Sequence, residues 1–140
     1  MEEKEMNEIF EKHELSEDEK VVKIETMADG RIVLCGSNAY DKKYYFNPAF
    51  SKIPESIKEE LRIICVLFTE EIGGIFTIVF EEDGSVSLET NADEEDILYD
   101  EIGSGLLVRE VRNSRQDLFE ALSMYYKVFI LKNASIEDLE

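Results

Sequence analysis

The segment from about residue 54 to residue 72 constrains the fold most, because only one secondary structure suits its pattern. Its apolar residues recur at helical spacing along one stripe: Ile57, Leu61, Ile64, Cys65, Phe68 and Ile72. That spacing is typical of an amphipathic helix that packs one face on a core. Pro54 suits the start of such a helix, and Gly73 followed by Gly74 suits its end. The rest of the chain must therefore supply a layer that covers this stripe.

Two Asp-Gly pairs predict β-hairpins, because both residues can adopt the positive φ that a tight turn needs. The pairs are Asp29-Gly30 and Asp83-Gly84. The apolar runs that flank them are residues 21–26, 31–35, 74–82 and 85–90. Residues 43–46 add a third strand to the first hairpin, ending at Asn47-Pro48 because proline cannot donate to a ladder. In the run at residues 75–80 both alternate faces are apolar, which predicts an interior strand.

Residues 93–112 predict a helix that Asp93 caps and that presents one apolar face to the core. That face carries Leu98, Ile102 and Leu106. Gly103 and Gly105 oppose the helix by about 1 kcal/mol each relative to alanine. The alternative is a break at the glycines, with residues 106–111 forming a short strand.

The spacing of Ser114 and Asp117 is that of a capping box and predicts a final helix. Its inward residues are Leu118, Leu122, Tyr125, Tyr126 and Phe129. The apolar arc of this helix is too wide for one face, so its excess is a candidate interface with a partner or a second copy of the chain. At the other terminus, residues 2–13 have the spacing of a weak amphipathic helix.

The predicted element order is α-βββ-α-ββ-α-α, with antiparallel hairpins and helices over one face of the sheet. That order indicates an α+β fold of two layers. We expect residues 1–20 to form an acidic N-terminal arm and residues 21–140 to form a single α+β domain.

The acidic charge is concentrated in two segments. The chain has 33 Asp and Glu against 15 Lys and Arg, a formal net charge of −18. Residues 1–20 contribute −6 and residues 81–101 contribute −10. Nonspecific binding to DNA and to anionic membranes is therefore excluded. The second segment predicts a directed acidic face made by Asp93, Glu94, Glu95, Asp96, Asp100 and Glu101.

The residue types that catalysis and metal binding need are sparse. His13 is the single histidine, and neither Cys35 nor Cys65 has an activating neighbour in the sequence. An EF-hand loop starting at Asn91 would lack the glycine at its sixth position and the glutamate at its twelfth. We therefore expect no enzyme, no metal site and no cofactor, with both cysteines buried as reduced thiols. No signal peptide or membrane-spanning run is recognisable, which favours the cytoplasm.

The run at residues 40–46 contains four aromatic residues and two lysines. Most of its aromatic side chains suit the packing of a strand. Tyr44 and Tyr45 are candidates for a surface that binds a peptide strand.

Several short runs together resemble an uncharacterised family of small acidic proteins from anaerobic Gram-positive bacteria. They are Val33-Leu34-Cys35-Gly36, Tyr44-Tyr45-Phe46-Asn47-Pro48, Ile57-Lys58-Glu59-Glu60-Leu61, Thr69-Glu70-Glu71-Ile72-Gly73-Gly74, Leu98-Tyr99-Asp100-Glu101-Ile102-Gly103-Ser104 and Tyr125-Tyr126-Lys127-Val128-Phe129. The resemblance implies a bacterial cytoplasmic protein and assigns no activity. Separately, the element order is similar to that of type III secretion chaperones, which are small, acidic, dimeric proteins that hold a partner segment.

The leading functional expectation is a non-enzymatic interaction module. It would bind an unknown protein partner of basic character through the acidic face and adjoining apolar surface. One alternative is an inhibitor or immunity protein whose carboxylates imitate nucleic acid. The other is a protein that binds a metal ion or a small ligand through the same carboxylates.

Overall fold

The computed structural model describes residues 29–131, so the helix predicted at residues 2–13 and the strand predicted at 21–26 lie outside the described residues. The described part has a four-stranded antiparallel sheet and three helices. The strands are β1 (Ile32–Asn38), β2 (Lys43–Phe46), β3 (Ile75–Phe80) and β4 (Val86–Asn91). The helices are α1 (Glu55–Ile72), α2 (Glu101–Ser114) and α3 (Gln116–Tyr126). The α+β class is confirmed, with the order ββ-α-ββ-α-α over these residues.

The two most apolar strands occupy the middle of the sheet, whose order is β2-β1-β3-β4. Every residue of β1 is buried, which suits a strand with neighbours on both sides. The interior position predicted for β3 is confirmed, because it pairs with β1 on one side and β4 on the other. The Asp83-Gly84 hairpin is also confirmed: Gly84 has a φ of 90°, and the Glu81 amide donates to the Ser85 carbonyl at 2.8 Å.

Helix α1 covers the sheet with the stripe that the sequence predicts. Leu61, Ile64, Cys65 and Phe68 are buried, and the Phe68 ring stacks on Phe76 of β3 at 4.2 Å between centroids. The helix ends where Gly73 adopts a φ of 85° and its amide donates to the Thr69 carbonyl at 2.8 Å. The structure therefore confirms this helix, its buried face and its glycine end.

The two cysteines meet in the layer between β1 and α1. Cys35 and Cys65 are both free and buried, with their Sγ atoms 3.8 Å apart. Nearby, the Ser37 hydroxyl donates to the Cys65 carbonyl at 2.6 Å. Burial raises the pKa of the Cys65 thiol well above its ordinary value, and contact with Cys35 raises it further. Cys65 is therefore held as a neutral thiol inside the core.

In the native protein, Cys35 and Cys65 are expected to resist an aromatic disulfide reagent that labels thiolates. The reagent needs an accessible thiolate, whereas burial removes access to both sulfur atoms and the raised pKa of Cys65 disfavours its ionisation. A spectroscopic time course in buffer and in denaturing guanidinium chloride checks this expectation. We expect slow labelling in buffer and two equivalents at once in denaturant. Rapid labelling of two thiols in buffer would contradict the packing of α1 on β1.

Helix α2 differs from the prediction in its start and in the face that it buries. It begins at Glu101, and residues 93–100 form turns, because Asp100 rather than Asp93 caps it by accepting the Gly103 amide at 2.9 Å. The helix continues through both glycines, so the alternative strand at residues 106–111 is also wrong. Its core contacts come from Leu107, Val108 and Val111. The residues predicted to face the core are exposed instead: Leu98, Ile102 and Leu106.

The predicted capping box is wrong as well, because Ser114 still belongs to α2. Its hydroxyl donates to the Val111 carbonyl at 3.3 Å, and α3 starts after Arg115 without a side-chain cap. The Arg115 guanidinium instead contacts the Glu60 carboxylate at 2.7 Å, which ties this corner to α1. Leu118, Leu122 and Tyr126 are buried as predicted, whereas Phe129 is mostly exposed in a π-helical turn at Lys127–Leu131.

Candidate partner-binding site

The structure places most of the predicted acidic residues around one open pocket of about 830 Å³. The pocket lies between the end of β4, the turns that follow it and the start of α2. Five carboxylate residues line it: Asp93, Glu94, Asp96, Asp100 and Glu101. Glu95 is exposed beside them without lining the cavity. No lysine or arginine is among the lining residues of this acidic pocket, so its potential is strongly negative.

Hydrogen bonds between residues close in sequence form the turns of the acidic pocket. The Asp96 amide donates to the Asp93 carbonyl at 2.9 Å, and the Tyr99 amide donates to the Asp96 carbonyl at 3.2 Å. Tyr99 then anchors the pocket to α2, since its hydroxyl lies 2.7 Å from the hydroxyl of buried Ser104. On the other side the Tyr99 ring lies against Gly74, where a Cβ would approach the ring within 2.7 Å. The wall of the pocket therefore depends on the glycine end of α1.

Tyr40, in the turn between β1 and β2, also reaches these turns, because the strand register places the end of β1 at the same end of the sheet as the end of β4. The Tyr40 hydroxyl donates to Asp96 Oδ2 at 2.7 Å and accepts from the Asp93 amide at 3.0 Å. Desolvation raises the pKa of the Tyr40 phenol, the Asp93 amide opposes this, and the Asp96 carboxylate raises the pKa again. Sequence reasoning missed Tyr40, because nothing local in the sequence connects it to residues more than 50 positions away.

The start of α2 supplies two of the pocket's carboxylates. Asp100 uses one oxygen to cap the Gly103 amide, and Glu101 lies in the first turn, where a negative charge complements the helix dipole. A Cβ at position 103 would overlap Asp100 Oδ2, so a side chain there would require the capping carboxylate to shift. The helix start therefore tolerates this density of negative charge.

Large apolar side chains lie exposed beside these carboxylates. They are Ile97 at 89% exposure, Leu98 at 89%, Ile102 at 78% and Leu106 at 60%, and together we name them the apolar patch. Ile97 and Ile102 also line the acidic pocket itself. Ile102 and Leu106 are one helical turn apart on the outer side of α2, so the patch extends from the pocket along the helix.

Tyr44 and Tyr45 do not join the acidic pocket. Both lie in β2 at the opposite edge of the sheet, where Tyr45 is buried and Tyr44 packs on the core. Burial raises the pKa of the Tyr44 phenol, and the nearby Cys35 and Cys65 thiols raise it further. We therefore leave both tyrosines out of the candidate site.

Among residues 29–131, no group of three or more His, Cys, Asp or Glu side chains is close enough together to hold a metal ion. None of the helices in that part of the chain has the length and apolar character needed to cross a membrane.

Residues 31–134 match a family described as "Family of unknown function (DUF6145)". The chain belongs to this family. The match begins just before β1 and includes every described strand and helix, so the acidic pocket and the apolar patch are both part of the DUF6145 region. Neither the curated proteins nor the solved structures contain a match. The similarity to secretion chaperones therefore rests on element order alone.

The DUF6145 region brings together the two kinds of group that recognise a long cationic side chain. Carboxylates accept charge-assisted hydrogen bonds from an ammonium or guanidinium group. Exposed Ile97 and Ile102 offer an apolar surface on which the methylene stem of such a side chain can lie. The arrangement is therefore suited to binding such a side chain.

Proposed function

We propose that this protein is a non-enzymatic interaction module that binds a basic, amphipathic segment of another protein. The segment occupies the acidic pocket and continues over the apolar patch. One observation carries the proposal: Ile97 and Ile102 are exposed in the wall of a cavity that five carboxylate residues line. Apolar groups and charges of a single sign on one surface suit a ligand that carries both kinds of complement.

The apolar patch supports an interaction because exposed aliphatic side chains of this size rarely cluster on a monomer's surface. Its four members lie within ten consecutive residues, and each is at least 60% exposed. Removing such side chains from water contributes roughly 25 cal/mol for each Å² buried. The apolar patch and the carboxylates therefore both contribute to the affinity, and the carboxylates also select a basic partner.

The negative charge of the chain favours a different protein as the partner over the chain's own ends or a second copy. Residues 1–20 carry a net charge of −6, and residues 132–140 hold three acidic residues against one lysine. Neither end of this chain complements the acidic pocket, and a second copy would bring like charges together. A homodimer, if one forms, would use the outer side of α3 and the following turn, where Met124 and Val128 are exposed.

In a narrower form of the proposal, the partner's basic segment is a surface that binds nucleic acid. The carboxylates of the acidic pocket then imitate the phosphates of that nucleic acid. Competition by duplex DNA for the partner separates this form from the general one. The metal-binding alternative has less support, because the described carboxylates do not converge on one point. Calorimetry with Ca²⁺ and Mn²⁺ at millimolar concentration tests it directly.

We also propose that the relatives of this protein are small and acidic and that it is located in the cytoplasm of an anaerobic Gram-positive bacterium. A partner's basic segment is accessible there. Expression with a fluorescent tag in such a bacterium tests the location.

A synthetic helical peptide with lysine and leucine on opposite faces is the probe for the proposed function. We expect it to bind, as measured by fluorescence anisotropy, and to bind more weakly as salt rises from about 50 to about 500 mM. Substituting Leu98→Ser and Ile102→Ser together is expected to weaken binding about tenfold or more without changing the charge.

The matched control is Ile63→Ser with Leu67→Ser, because these residues are also exposed, at 43% and 56%, but lie on α1. A peptide with glutamate in place of lysine should not bind. Equal losses for both double variants, or equal binding of both peptides, would contradict a site at the acidic pocket and apolar patch.

A further inference from the structure

We infer that Tyr40 is the positioning residue of the acidic pocket, fastening the turn at residues 93–97 to the turn between β1 and β2. The affinity for a basic partner then depends on a side chain that is not itself among the pocket's lining residues. The affinity part of this inference rests on the proposed function. The fastening itself can be measured in the protein alone.

The contacts of the Tyr40 hydroxyl hold both ends of the acidic turn. It donates to Asp96 Oδ2 at 2.7 Å and accepts from the Asp93 amide at 3.0 Å, so one phenol uses both its donor and its acceptor. The backbone hydrogen bonds of this turn within the described part of the chain are local, such as that from the Ile97 amide to the Glu95 carbonyl at 3.0 Å. Tyr40 therefore joins the acidic turn to the turn between β1 and β2, which lies more than 50 residues earlier in the chain.

Tyr40 can act in this way because its own backbone is held firmly. The side chain of Asn38, at the end of β1, accepts from the Tyr40 amide at 2.9 Å and donates to the Asp41 carboxylate at 3.1 Å. The amide of Ala39 donates to the Gly74 carbonyl at 2.8 Å, which fixes the residue before Tyr40 to the end of α1. An Asn side chain that bonds the backbone two residues on is a common device for rigid turns.

The turn needs such a support because its charges repel one another. Four consecutive acidic residues lie at positions 93–96, and Asp100 and Glu101 follow close by. If the turn is not fastened, this repulsion moves it away from α2 and increases the number of conformations that the turn adopts. A partner would then have to order the turn as it binds, which weakens the measured affinity.

The variant Tyr40→Phe tests the inference, because it removes the hydroxyl and keeps the ring. We expect faster hydrogen exchange of the amides at residues 93–97, with the amides of β1 and β3 unchanged. We expect the affinity for the lysine–leucine peptide to fall about five- to tenfold. The salt dependence should stay the same, since every carboxylate remains.

Two further variants separate positioning from charge and from general loss of a phenol. Asp96→Asn keeps an oxygen that accepts from Tyr40, so the turn should stay protected while the salt dependence becomes shallower. Tyr125→Phe removes a hydroxyl from a ring that packs on Phe50 near α3, and it should leave the exchange at residues 93–97 and the affinity unchanged.

Unchanged exchange at residues 93–97 in Tyr40→Phe would overturn the positioning role, whatever the peptide does. Faster exchange with unchanged peptide affinity would overturn the link to binding. If the wild-type protein binds no basic peptide, the proposed function fails, and faster exchange in the variant then still supports the fastening by Tyr40.

Discussion

Replacing Phe76 by alanine is expected to lower the free energy of unfolding by about 3–5 kcal/mol. The Phe76 ring has 0% exposure and lies between β3 and α1, stacked on Phe68 with centroids 4.2 Å apart. Its loss removes apolar contact from both layers and leaves a cavity that the close-packed sheet cannot fill. The effect is large because the buried Phe76 ring joins β3 to α1.

Guanidinium chloride unfolding followed by circular dichroism measures this loss as a lower midpoint with an unchanged slope. The control is Leu67→Ala, because Leu67 lies on α1 but is 56% exposed. We expect it to change the free energy of unfolding by about 0.5 kcal/mol at most. A loss at Phe76 no greater than at Leu67 would contradict the packing of α1 on β3.

The sequence predicts α1 and β3 well because their burial follows from their own residues. Leu61, Ile64 and Phe68 recur at helical spacing, and a strand that is apolar on both faces suits only the middle of a sheet. Such local patterns need no knowledge of which partner lies opposite. Residues 43–46 are likewise predicted as a strand from local sequence, with Asn47-Pro48 marking its end.

Helix α2 could not be predicted in the same way, because two apolar stripes compete for the core. The sequence offers Leu98, Ile102 and Leu106 on one side and Leu107, Val108 and Val111 on the other. Asp100 caps the helix seven residues later than Asp93 would, which leaves Leu98 outside the helix, and Leu107, Val108 and Val111 form the face that packs on the core. The stripe left outside becomes the apolar patch, so the error in the prediction coincides with the candidate site.

The candidate site itself was predictable only in part. Its carboxylates are close in sequence, so a directed acidic face followed from counting charges. The contributions of Tyr40 and Gly74 come from distant segments and leave no local signal. Tyr44 and Tyr45 are predicted as a separate peptide-binding surface from their aromatic character, which does not distinguish packed tyrosines from exposed ones.

Removing three charges from the acidic pocket is expected to weaken the binding of the lysine–leucine peptide about 30- to 100-fold at low salt. The variant combines Asp93→Asn, Glu94→Gln and Glu101→Gln. All three residues line the pocket, and no side-chain hydrogen bond of theirs is among the described contacts that fold residues 93–100. Anisotropy titrations measure the affinity, and thermal unfolding shows whether the fold is retained.

The matched control removes the same number of charges from residues that do not line the pocket, through Glu55→Gln, Asp117→Asn and Glu120→Gln. Glu55 begins α1, whose end carries the pocket wall about 26 Å away at 1.5 Å per residue. Asp117 lies beside Arg115, which contacts the early turns of α1 through Glu60. At about 150 mM salt the Debye length is about 8 Å, so these charges should change the affinity less than threefold.

The comparison of the two triple variants distinguishes a local site from attraction to the net charge of −18. Both variants carry the same net charge, so an effect of total charge must weaken both equally. If the site is local, binding must be weakened mainly in the pocket variant. The difference in affinity between the two variants must then shrink as salt rises, because salt screens the attraction of the three pocket carboxylates that the control variant keeps. Equal losses at every salt concentration would mean that the peptide binds to the overall field, and the acidic pocket would then have no special role.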